Sequence, residues 1–398
     1  MPWDEIKPRD FEALHKDLDG ISKKTMEDHY KLYEAYCKKT NECRKILNEI
    51  DYGEAEGNQV YSHLRSVSID YTFALLEARR APSYLIGGEL RTTGRNADWA
   101  DGDWLVVEAD ESDRSFLELA PDVAVVTNVE LDHHATYRSP RELERAFEEF
   151  AGGAGTTIAW EGAPLRAAEL TYGIGAGDVA ATDVRLGRGG ARFAALGTDV
   201  ELAVPGEHNV LNALAAIAAC RSAGLDAPEA AAALATFPGA GRRFEHRGRT
   251  EHGAEVYDDY AHHPTEVRAT IEAARTLEPR RLLACFQPHL YSRTKLLARD
   301  FGRALALADA ACVVDVYPAR ERAEDHPGVS GWLVAAATAD ASRGRPVYWT
   351  PALDDAARLL GTVLREGDVL LTLGAGDVDG VAERLVARPP AVPAGGRA

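Results

Sequence analysis

The chain has very little lysine beyond its first segment. Eight of its nine lysines lie within the first 45 residues and only Lys295 follows, whereas 33 arginines occur from Arg79 onward. A phosphate-binding loop of the form Gly-x-x-x-x-Gly-Lys-Ser/Thr requires a lysine, so the sequence excludes such a loop between Lys45 and Lys295. The bias also indicates that two differently biased coding sequences meet at a junction near residues 72–81.

Cysteines and long apolar runs are scarce as well. The five cysteines show neither metal-ligand nor disulfide spacing, which excludes a small disulfide scaffold and fits a reducing compartment. No run is apolar enough to predict a membrane-spanning helix, and the first five residues are unlike an export signal. We therefore expect a cytoplasmic protein with no membrane partner.

The chain is strongly acidic, with a net charge of −18 over 398 residues. This balance argues against a general nucleic-acid binder, although it permits an anionic ligand in a local basic pocket. The length is enough for two or three domains, and the sequence leaves the oligomeric state open.

Two short apolar runs between Trp104 and Tyr137 end in polar side chains. The first leads into Glu108, and the second leads into His133. Buried strands of a parallel sheet have this composition, and ligands bind at the carboxyl ends of such strands. On neighbouring strands, Glu108 and His133 would face one ligand and suit a divalent metal that carries nucleotide phosphates. The alternative is that both are solvated loop residues.

An alanine-rich helix is predicted to begin near residue 206. Asn209 and Asn212 are three residues apart and therefore share one face near its N-terminus. Amide side chains at this position can read an adenine edge, and the helix end favours phosphate. The alternative is that Asn209 is an ordinary helix cap.

After a glycine-rich boundary at residues 237–241, strand patterns alternate with helical patterns. This alternation predicts a separate small α/β domain. A buried structural histidine is the usual explanation for one titratable residue at a strand end, but it is a poor explanation for several at one sheet edge. The residues concerned are His262, His263, His289 and Arg293.

Six motifs, in order between residues 82 and 387, resemble the Mur ligase family. The Asp-Asp-Tyr-x-His-His-Pro motif at residues 258–264 resembles the branch that adds L-alanine to UDP-N-acetylmuramate. The other five motifs are Glu-Ala-Asp-Glu-Ser-Asp at 108–113, Thr-Asn-Val-Glu-Leu-Asp-His at 127–133, His-Asn-Val-Leu-Asn at 208–212, Gly-Arg-Arg-Phe at 241–244 and Phe-Gln-Pro-His at 286–289 with Arg293.

The resemblance implies an α/β fold with a truncated central ATPase-type parallel sheet over residues 77–238. A C-terminal Rossmann-like α/β domain is expected over residues 239–388, followed by a disordered tail at 389–398. The implied reaction begins when ATP phosphorylates the muramate carboxylate, and it ends when the amine of L-alanine displaces phosphate from the acyl phosphate. Mg²⁺ and cationic side chains would stabilise the transferring phosphoryl group.

The resemblance also implies roles for individual residues. Glu108 would bind the magnesium ion on ATP, and His133 would hold a second metal near the carboxylate. The implied contacts to ATP are Asn209 and Asn212, at the adenine, and Arg243 and Asp259, from the C-terminal domain.

A second implied group surrounds L-alanine and the reacting carboxylate, with domain closure assembling the site. These substrate-binding residues are Tyr260, His262, His289 and Arg293. The expected catalytic residues are His133, His262 and Arg293.

The chain departs from the family pattern at its beginning. The UDP-sugar-binding domain and the phosphate loop ending in Gly-Lys-Thr are missing from the sequence, so we expect kcat to be lower by at least about 10³. The alternatives are a catalytically inactive nucleotide-binding remnant and a fusion or assembly chimera. Smaller departures are Leu290, where the family often has arginine, and Ala261, where glycine is common.

Residues 1–76 are predicted to form an α-helical hairpin. Residues 21–41 resemble the first hairpin of iron/manganese superoxide dismutases, in which a histidine at the position of His29 is a metal ligand and a tyrosine at Tyr36 lines the site. The Asp-x-Trp-x-x-His motif that completes that ligand set is absent after residue 81, and one histidine cannot hold a redox metal. We therefore expect His29 to be a surface or packing residue, with a dismutase-like metal protein as the alternative.

Overall fold

The computed structural model describes residues 67–131, 136–166 and 168–386. The predicted hairpin helix at residues 21–50, the metal ligand His133 and the tail at 389–398 lie outside these ranges. The chain divides into Met1–Gln59 and Val60–Ala398, and all described residues belong to the second unit. The boundary expected at residue 76 stays a prediction, and the helix that contains this position packs into the core of the second unit.

The described part begins with helix α1 (Val67–Glu77) and a small sheet. The strands of this sheet are β1 (Ser83–Leu90), β2 (Arg95–Asp98) and β3 (Leu105–Val107). The order is β2-β1-β3, with β3 parallel and β2 antiparallel to β1. Helix α1 enters the predicted junction at residues 72–81, and its Ile69 and Phe73 share one buried cluster with Tyr84 of β1. The sequences on both sides of the junction therefore share one core.

A six-stranded sheet follows, preceded by a short 3-10 helix (Ser115–Glu118). Its strands are β4 (Val123–Val126), β5 (Thr156–Trp160), β6 (Leu170–Ile174), β7 (Val179–Gly187), β8 (Gly190–Ala195) and β9 (Thr198–Leu202), with helix α2 (Pro140–Gly152) between β4 and β5. The strands lie in sequence order, parallel from β4 to β7 and antiparallel from β7 to β9.

The two apolar runs that lead to Glu108 and His133 are strands, as predicted, but among the described residues they are not neighbours. Strand β3 pairs with β1 and strand β4 pairs with β5, and each lies at the edge of a different sheet. The expected adjacency of the two strands is therefore wrong, whereas a ligand shared by Glu108 and His133 stays a prediction, because His133 lies outside the described residues. The loops that follow are joined, since the hydroxyl of Tyr137 donates to the carbonyl oxygen of Glu111 across 2.8 Å.

A buried alanine-rich helix forms the centre of this region. Helix α3 (Glu207–Ser222) is followed by α4 (Ala227–Leu234), and every residue of α3 from Ala213 to Cys220 is buried. Small side chains let α1, α4 and strands β4 to β8 pack closely around it. The predicted helix is confirmed, and its N-terminal turn carries Asn209 and Asn212.

The C-terminal region is a second α/β sandwich. Its strands are β10 (Glu245–Arg249), β11 (Glu255–Asp259), β12 (Arg281–Phe286), β13 (Ala310–Val313), β14 (Val347–Trp349) and β15 (Asp368–Leu373), and its helices are α5 (Pro264–Arg275), α6 (Tyr291–Leu305), α7 (Gly331–Ala341), α8 (Leu353–Val363) and α9 (Asp379–Leu385); a 3-10 turn lies at Ala323–Asp325. The order is β10-β11-β15-β12-β13-β14, with only β10 antiparallel.

Apolar clusters cover both faces of the C-terminal sheet. We call the described residues up to Ala240 the first region. Its main apolar cluster ends at Ala240, and the C-terminal cluster begins at Phe244, close to the boundary expected after residue 238. Within the described ranges, no helix is both long and apolar enough to cross a membrane.

Candidate active site

The carboxyl ends of four adjacent parallel strands meet at one edge of the C-terminal sheet. These strands are β11, β15, β12 and β13 in spatial order. Tyr260 and His262 follow β11, while His289 follows β12 and Tyr317 follows β13. Ligands of open α/β sheets bind outside this edge, so the fold brings the predicted residues of this domain to one place.

Four aromatic rings form a row at this edge, which we call the ring row. Ring centroids are 5.6 Å apart for Tyr260 and His262, 5.8 Å for His262 and His289, and 5.8 Å for His289 and the stacked Tyr317. Arg293, from the first turn of α6, places Nη1 3.1 Å from Nδ1 of His289. All of these residues except Tyr317 are buried.

The hydrogen-bond partners give Nδ1 opposite roles in the two imidazoles. A guanidinium only donates, so Nδ1 of His289 accepts from Arg293 and the ring proton lies on Nε2. Nδ1 of His262 lies 3.0 Å from the carbonyl oxygen of Tyr260 and 3.5 Å from Oε2 of Glu266. Both are acceptors, so Nδ1 of His262 carries the proton. Nδ1 is therefore an acceptor in His289 and a donor in His262.

Asp259 and Arg243 lie next to the ring row. The Asp259 carboxylate accepts backbone N–H bonds from Phe244 and Ala261, both at 2.8 Å. Burial raises the pKa of Asp259 to about 6, against the opposing effect of the Arg243 charge. The Arg243 guanidinium lies 5.6 Å from the centre of the Tyr260 ring. A cation and a titratable carboxyl group thus adjoin the predicted substrate residues.

Arg242, which the sequence did not single out, ties two strand ends together. Its Nε donates to Asp258 across 2.9 Å, and its two terminal nitrogens donate to the carbonyl oxygens of Gly374 and Gly376, both at 3.0 Å. Gly374 has φ 148°, and a Cβ there would lie 2.8 Å from the Gln287 carbonyl oxygen. The arginine therefore holds the glycine-rich end of β15 beside the end of β11.

A pocket of about 270 Å³ lies between helices α3 and α5, close to the lower end of the range for small-molecule sites. The first region supplies its floor and α5 supplies its cover. The aromatic and apolar lining residues are Trp160, Tyr172, Leu186, Leu211, Ala269 and Ala273, and the polar ones are Thr127, Asn128, Glu130, Glu207, His208, Asn212, Thr265, Glu272 and Thr276.

The two asparagines of α3 are placed differently. Asn212 lines the pocket and is 2% exposed, and its Nδ2 has no hydrogen-bond partner among the described residues. Asn209 is absent from the lining, and its Nδ2 donates to the Pro205 carbonyl oxygen across 2.7 Å. A buried amide without a partner is costly, so Asn212 is suited to meet a ligand, whereas Asn209 makes a local contact at the helix start.

Glu108 lies at the start of α1 rather than at the ring row. Its Oε2 accepts from Ser68 Oγ (2.9 Å) and from the backbone N–H of Gly87 (2.8 Å). In the described part of the chain, no group of three His, Cys, Asp or Glu side chains is arranged to hold a metal. Mg²⁺ needs only one or two carboxylates when nucleotide phosphates complete its shell, so a carboxylate at Glu108 fits that role.

Several site residues escaped the sequence prediction. Tyr317 follows a recognised strand, so its position at the sheet edge was a usable signal. Glu130 lies inside a recognised motif, but its partner Thr265 belongs to the other domain. Trp160 and Tyr172 reach the pocket from strands β5 and β6, and nothing in their local sequence distinguishes them from core aromatics.

Comparison with known proteins gives matches over both regions. The Mur ligase middle domain matches residues 89–220, and the Mur ligase glutamate ligase domain matches residues 242–376. UDP-N-acetylmuramate–L-alanine ligase from Streptomyces avermitilis is 42% identical over 332 residues, which cover 77% of this chain and 70% of that protein.

Solved structures agree with the sequence matches. UDP-N-acetylmuramate-alanine ligase MurC from Thermotoga maritima aligns with a TM-score of 0.68 and 27% identity, over 81% of this chain and 72% of that one. MurF ligase from Thermotoga maritima, in complex with ADP, has the same fold, with a TM-score of 0.61 and 20% identity over 81% of this chain and 77% of that one. The α/β architecture predicted from the sequence is confirmed, and the chain belongs to the Mur ligase family.

Proposed function

We propose that this protein is an ATP-dependent ligase that joins L-alanine to UDP-N-acetylmuramate, a step in peptidoglycan precursor synthesis. The 42% identity to a ligase with this name supports the reaction. The observation that carries the proposal is the position of helix α5, which begins beside the ring row and covers the pocket that contains Asn212. One helix therefore connects a pocket large enough for a nucleotide base to a cluster of titratable groups.

The pocket is the proposed binding site of the adenine base. Nδ2 of Asn212 is a buried donor for an acceptor nitrogen of the base, and Trp160 and Tyr172 supply aromatic surface. Arg243 and Asp259 remain proposed contacts to the nucleotide from the C-terminal domain, and Asn209 is proposed to act through the start of α3.

Glu108 is the proposed protein ligand of the Mg²⁺ on ATP, with Ser68 and Gly87 fixing its carboxylate. When bound, the ion would neutralise charge on the transferring phosphoryl oxygens. His133 keeps its proposed role at a second metal, which the described residues do not test.

The ring row is the proposed site of amide-bond formation. The muramate carboxylate takes the γ-phosphoryl group of ATP and becomes an acyl phosphate. Arg293 and Nε2–H of His289 are donors suited to the anionic oxygens of that group. The alanine nitrogen then attacks the carbonyl carbon, phosphate leaves, and a proton leaves the nitrogen. His262 is the proposed acceptor of this proton, while Tyr260 would shape the alanine side of the site.

Phosphate release from ATP tests the proposal. The purified chain is assayed with Mg²⁺, UDP-N-acetylmuramate and L-alanine, and again with each substrate omitted. We expect release that requires both substrates, is lost in His262→Ala and persists in His252→Ala, a control at an exposed turn. ATP binding without any release would instead favour the nucleotide-binding protein hypothesised from the absent Gly-Lys-Thr loop.

The same proposal implies a cellular location and a class of partner for the protein. ATP and a UDP-linked sugar are soluble metabolites of the cytoplasm, which we propose as its location. The charge of −18 fits a protein with small-molecule substrates and no nucleic-acid partner.

A further inference from the structure

Helix α5 belongs to the C-terminal domain, but residues of the first region hold it at both ends. At its N-terminal end, Thr265 Oγ1 donates to Oε2 of Glu130 across 2.6 Å, and Nδ1 of His263 lies 3.6 Å from the same oxygen. Just beyond its C-terminal end, Nη2 of Arg188 donates to the carbonyl oxygen of Leu277 across 2.5 Å. Glu130 follows β4, and Arg188 lies in the turn between β7 and β8.

The signs of these two charges match the dipole of the helix. A helix N-terminus carries partial positive charge and favours an anion such as Glu130, whereas the C-terminal carbonyl groups favour a cation such as Arg188. Both contacts also involve one ionised group, and such hydrogen bonds are stronger than neutral ones. Both end contacts therefore favour the direction in which α5 runs.

Between its two ends, α5 presents small side chains to the pocket and to the start of α3. Ala269 and Ala273 line the pocket. A Cβ built on Gly206, at the start of α3, would lie 2.8 Å from the Cβ of Ala273, so the two helices approach each other as closely as a glycine permits. Val267 and Ile271 pack α5 into the core of its own domain, so the end contacts act on how α5 meets the first region.

We propose that Glu130 and Arg188, the α5 anchors, are positioning residues that seat α5 over the nucleotide pocket. This inference rests on the proposed function for the identity of the ligand, but not for the contacts themselves. Loss of either anchor loosens one end of α5 against the first region and weakens nucleotide binding. Glu130 and Thr265 also line the pocket, whereas Arg188 does not, so hydrogen exchange of α5 is needed beside the Kd to separate positioning from a ligand contact.

The test uses Glu130→Gln, Arg188→Gln, Thr265→Val and Thr265→Ser in the full chain. Glu201→Gln and Arg192→Gln are the charge-matched controls, because this exposed ion pair joins strands β8 and β9 away from α5. Hydrogen exchange of the α5 amides is measured without nucleotide, and the Kd for ATP is measured by calorimetry.

We expect Glu130→Gln, Arg188→Gln and Thr265→Val to speed exchange in α5 and to raise the Kd for ATP about 5-fold each. Thr265→Ser, which keeps the hydroxyl, and both controls should match the parent. Glu130→Gln combined with Thr265→Val should be no worse than either change alone, because the two changes remove one contact.

Three results would overturn the inference. Unchanged exchange in Glu130→Gln and Thr265→Val would mean that the contact does not position the helix. A weaker Kd with unchanged exchange would make Glu130 a direct ligand contact. Faster exchange after loss of only one anchor would show that α5 is not held at both ends. If the variants show the expected exchange effects but the parent binds no ATP, the anchors are retained and the proposed function is refuted.

Discussion

The guanidinium of Arg293 donates to Nδ1 of His289 across 3.1 Å, with both side chains buried beneath the edge of the C-terminal sheet. Arg293 and His289 are four residues apart, and Leu290, with its positive φ of 67°, lies between them at the N-cap of helix α6. The contact sets the tautomer of His289 and leaves its Nε2–H as a donor. The orientation of the imidazole therefore depends on the guanidinium of Arg293.

Arg293→Lys is expected to lower kcat/KM for ligation by about 10², with little change in the Kd for ATP. An ammonium group cannot reproduce the planar donor set of the guanidinium, and loss of one oriented donor at a developing oxyanion costs about this factor. Steady-state kinetics and ATP calorimetry measure the two quantities. Arg299→Lys, an exposed change on the same helix, is the control, and equal losses in both variants would contradict the role.

Asn212→Ala is expected to raise the Kd for ATP about 10-fold, whereas Asn209→Ala leaves it within about 2-fold. Asn212 is the buried pocket amide whose Nδ2 has no partner, and Asn209 is occupied by Pro205. Loss of one buried hydrogen bond to a ligand costs about 1–1.5 kcal/mol. Calorimetry with ATP separates the two variants, and a larger effect at Asn209 would move the adenine away from this pocket.

Asp70→Ala is expected to stabilise the chain by about 1–3 kcal/mol at neutral pH. Asp70 is 4% exposed in the core around α1, and its Oδ1 has no partner among the described residues; an unsatisfied buried group costs about that much. Burial raises the pKa of Asp70 well above its usual value. The parent should therefore lose stability as the pH rises from the carboxyl's ordinary pKa of about 3.9 through the raised folded-state pKa.

Urea unfolding at several pH values measures this effect. The free energy of unfolding of Asp70→Ala should depend less on pH than that of the parent, and the two curves should converge at low pH. Asp226→Ala would behave in the opposite way, because its carboxylate caps helix α4 and its loss costs about 1 kcal/mol. A less stable Asp70→Ala would show that the carboxylate has a stabilising partner.

Gly206→Ala is expected to lower the free energy of unfolding by about 2 kcal/mol or more and to weaken ATP binding. Gly206 has φ 103°, and an added Cβ would lie 2.6 Å from the His208 ring and 2.8 Å from Ala273, so strain and overlap act together. Gly197→Ala separates these causes, because Gly197 has φ 75° but nothing within 4 Å of the added Cβ. Equal effects on ATP binding in both variants would leave the close approach of α3 and α5 without a role.

The sheet edge of the C-terminal domain was predictable from sequence because local rules determine it. Parallel strands bring their carboxyl ends to one side, so recognition of the strands before Tyr260 and His289 was enough to group these residues with His262 and Arg293. The roles of the residues at the start of α3 were harder to predict, because Asn209 and Asn212 share a helix face but only Asn212 reaches the pocket. Helix periodicity does not show that Asn209 bonds back to Pro205.

Contacts between the two regions could not be predicted from the sequence. Glu130 and Thr265 are 135 residues apart, and the pocket exists only where α5 covers α3. The pairing of the strands before Glu108 and His133 was also beyond local rules, because an apolar run predicts a strand but does not identify its neighbour. In the structure, those strands belong to two different sheets.

Formation of the amide product tests the central claim most directly. The full chain, in excess over UDP-N-acetylmuramate, is incubated with ATP, Mg²⁺ and radiolabelled L-alanine, so that even a rate reduced by the expected factor of about 10³ gives measurable product. We predict labelled UDP-N-acetylmuramoyl-L-alanine that requires ATP and fails to form with His262→Ala. Absence of product in the parent, or equal product without ATP, would contradict the assignment of this chain as a ligase.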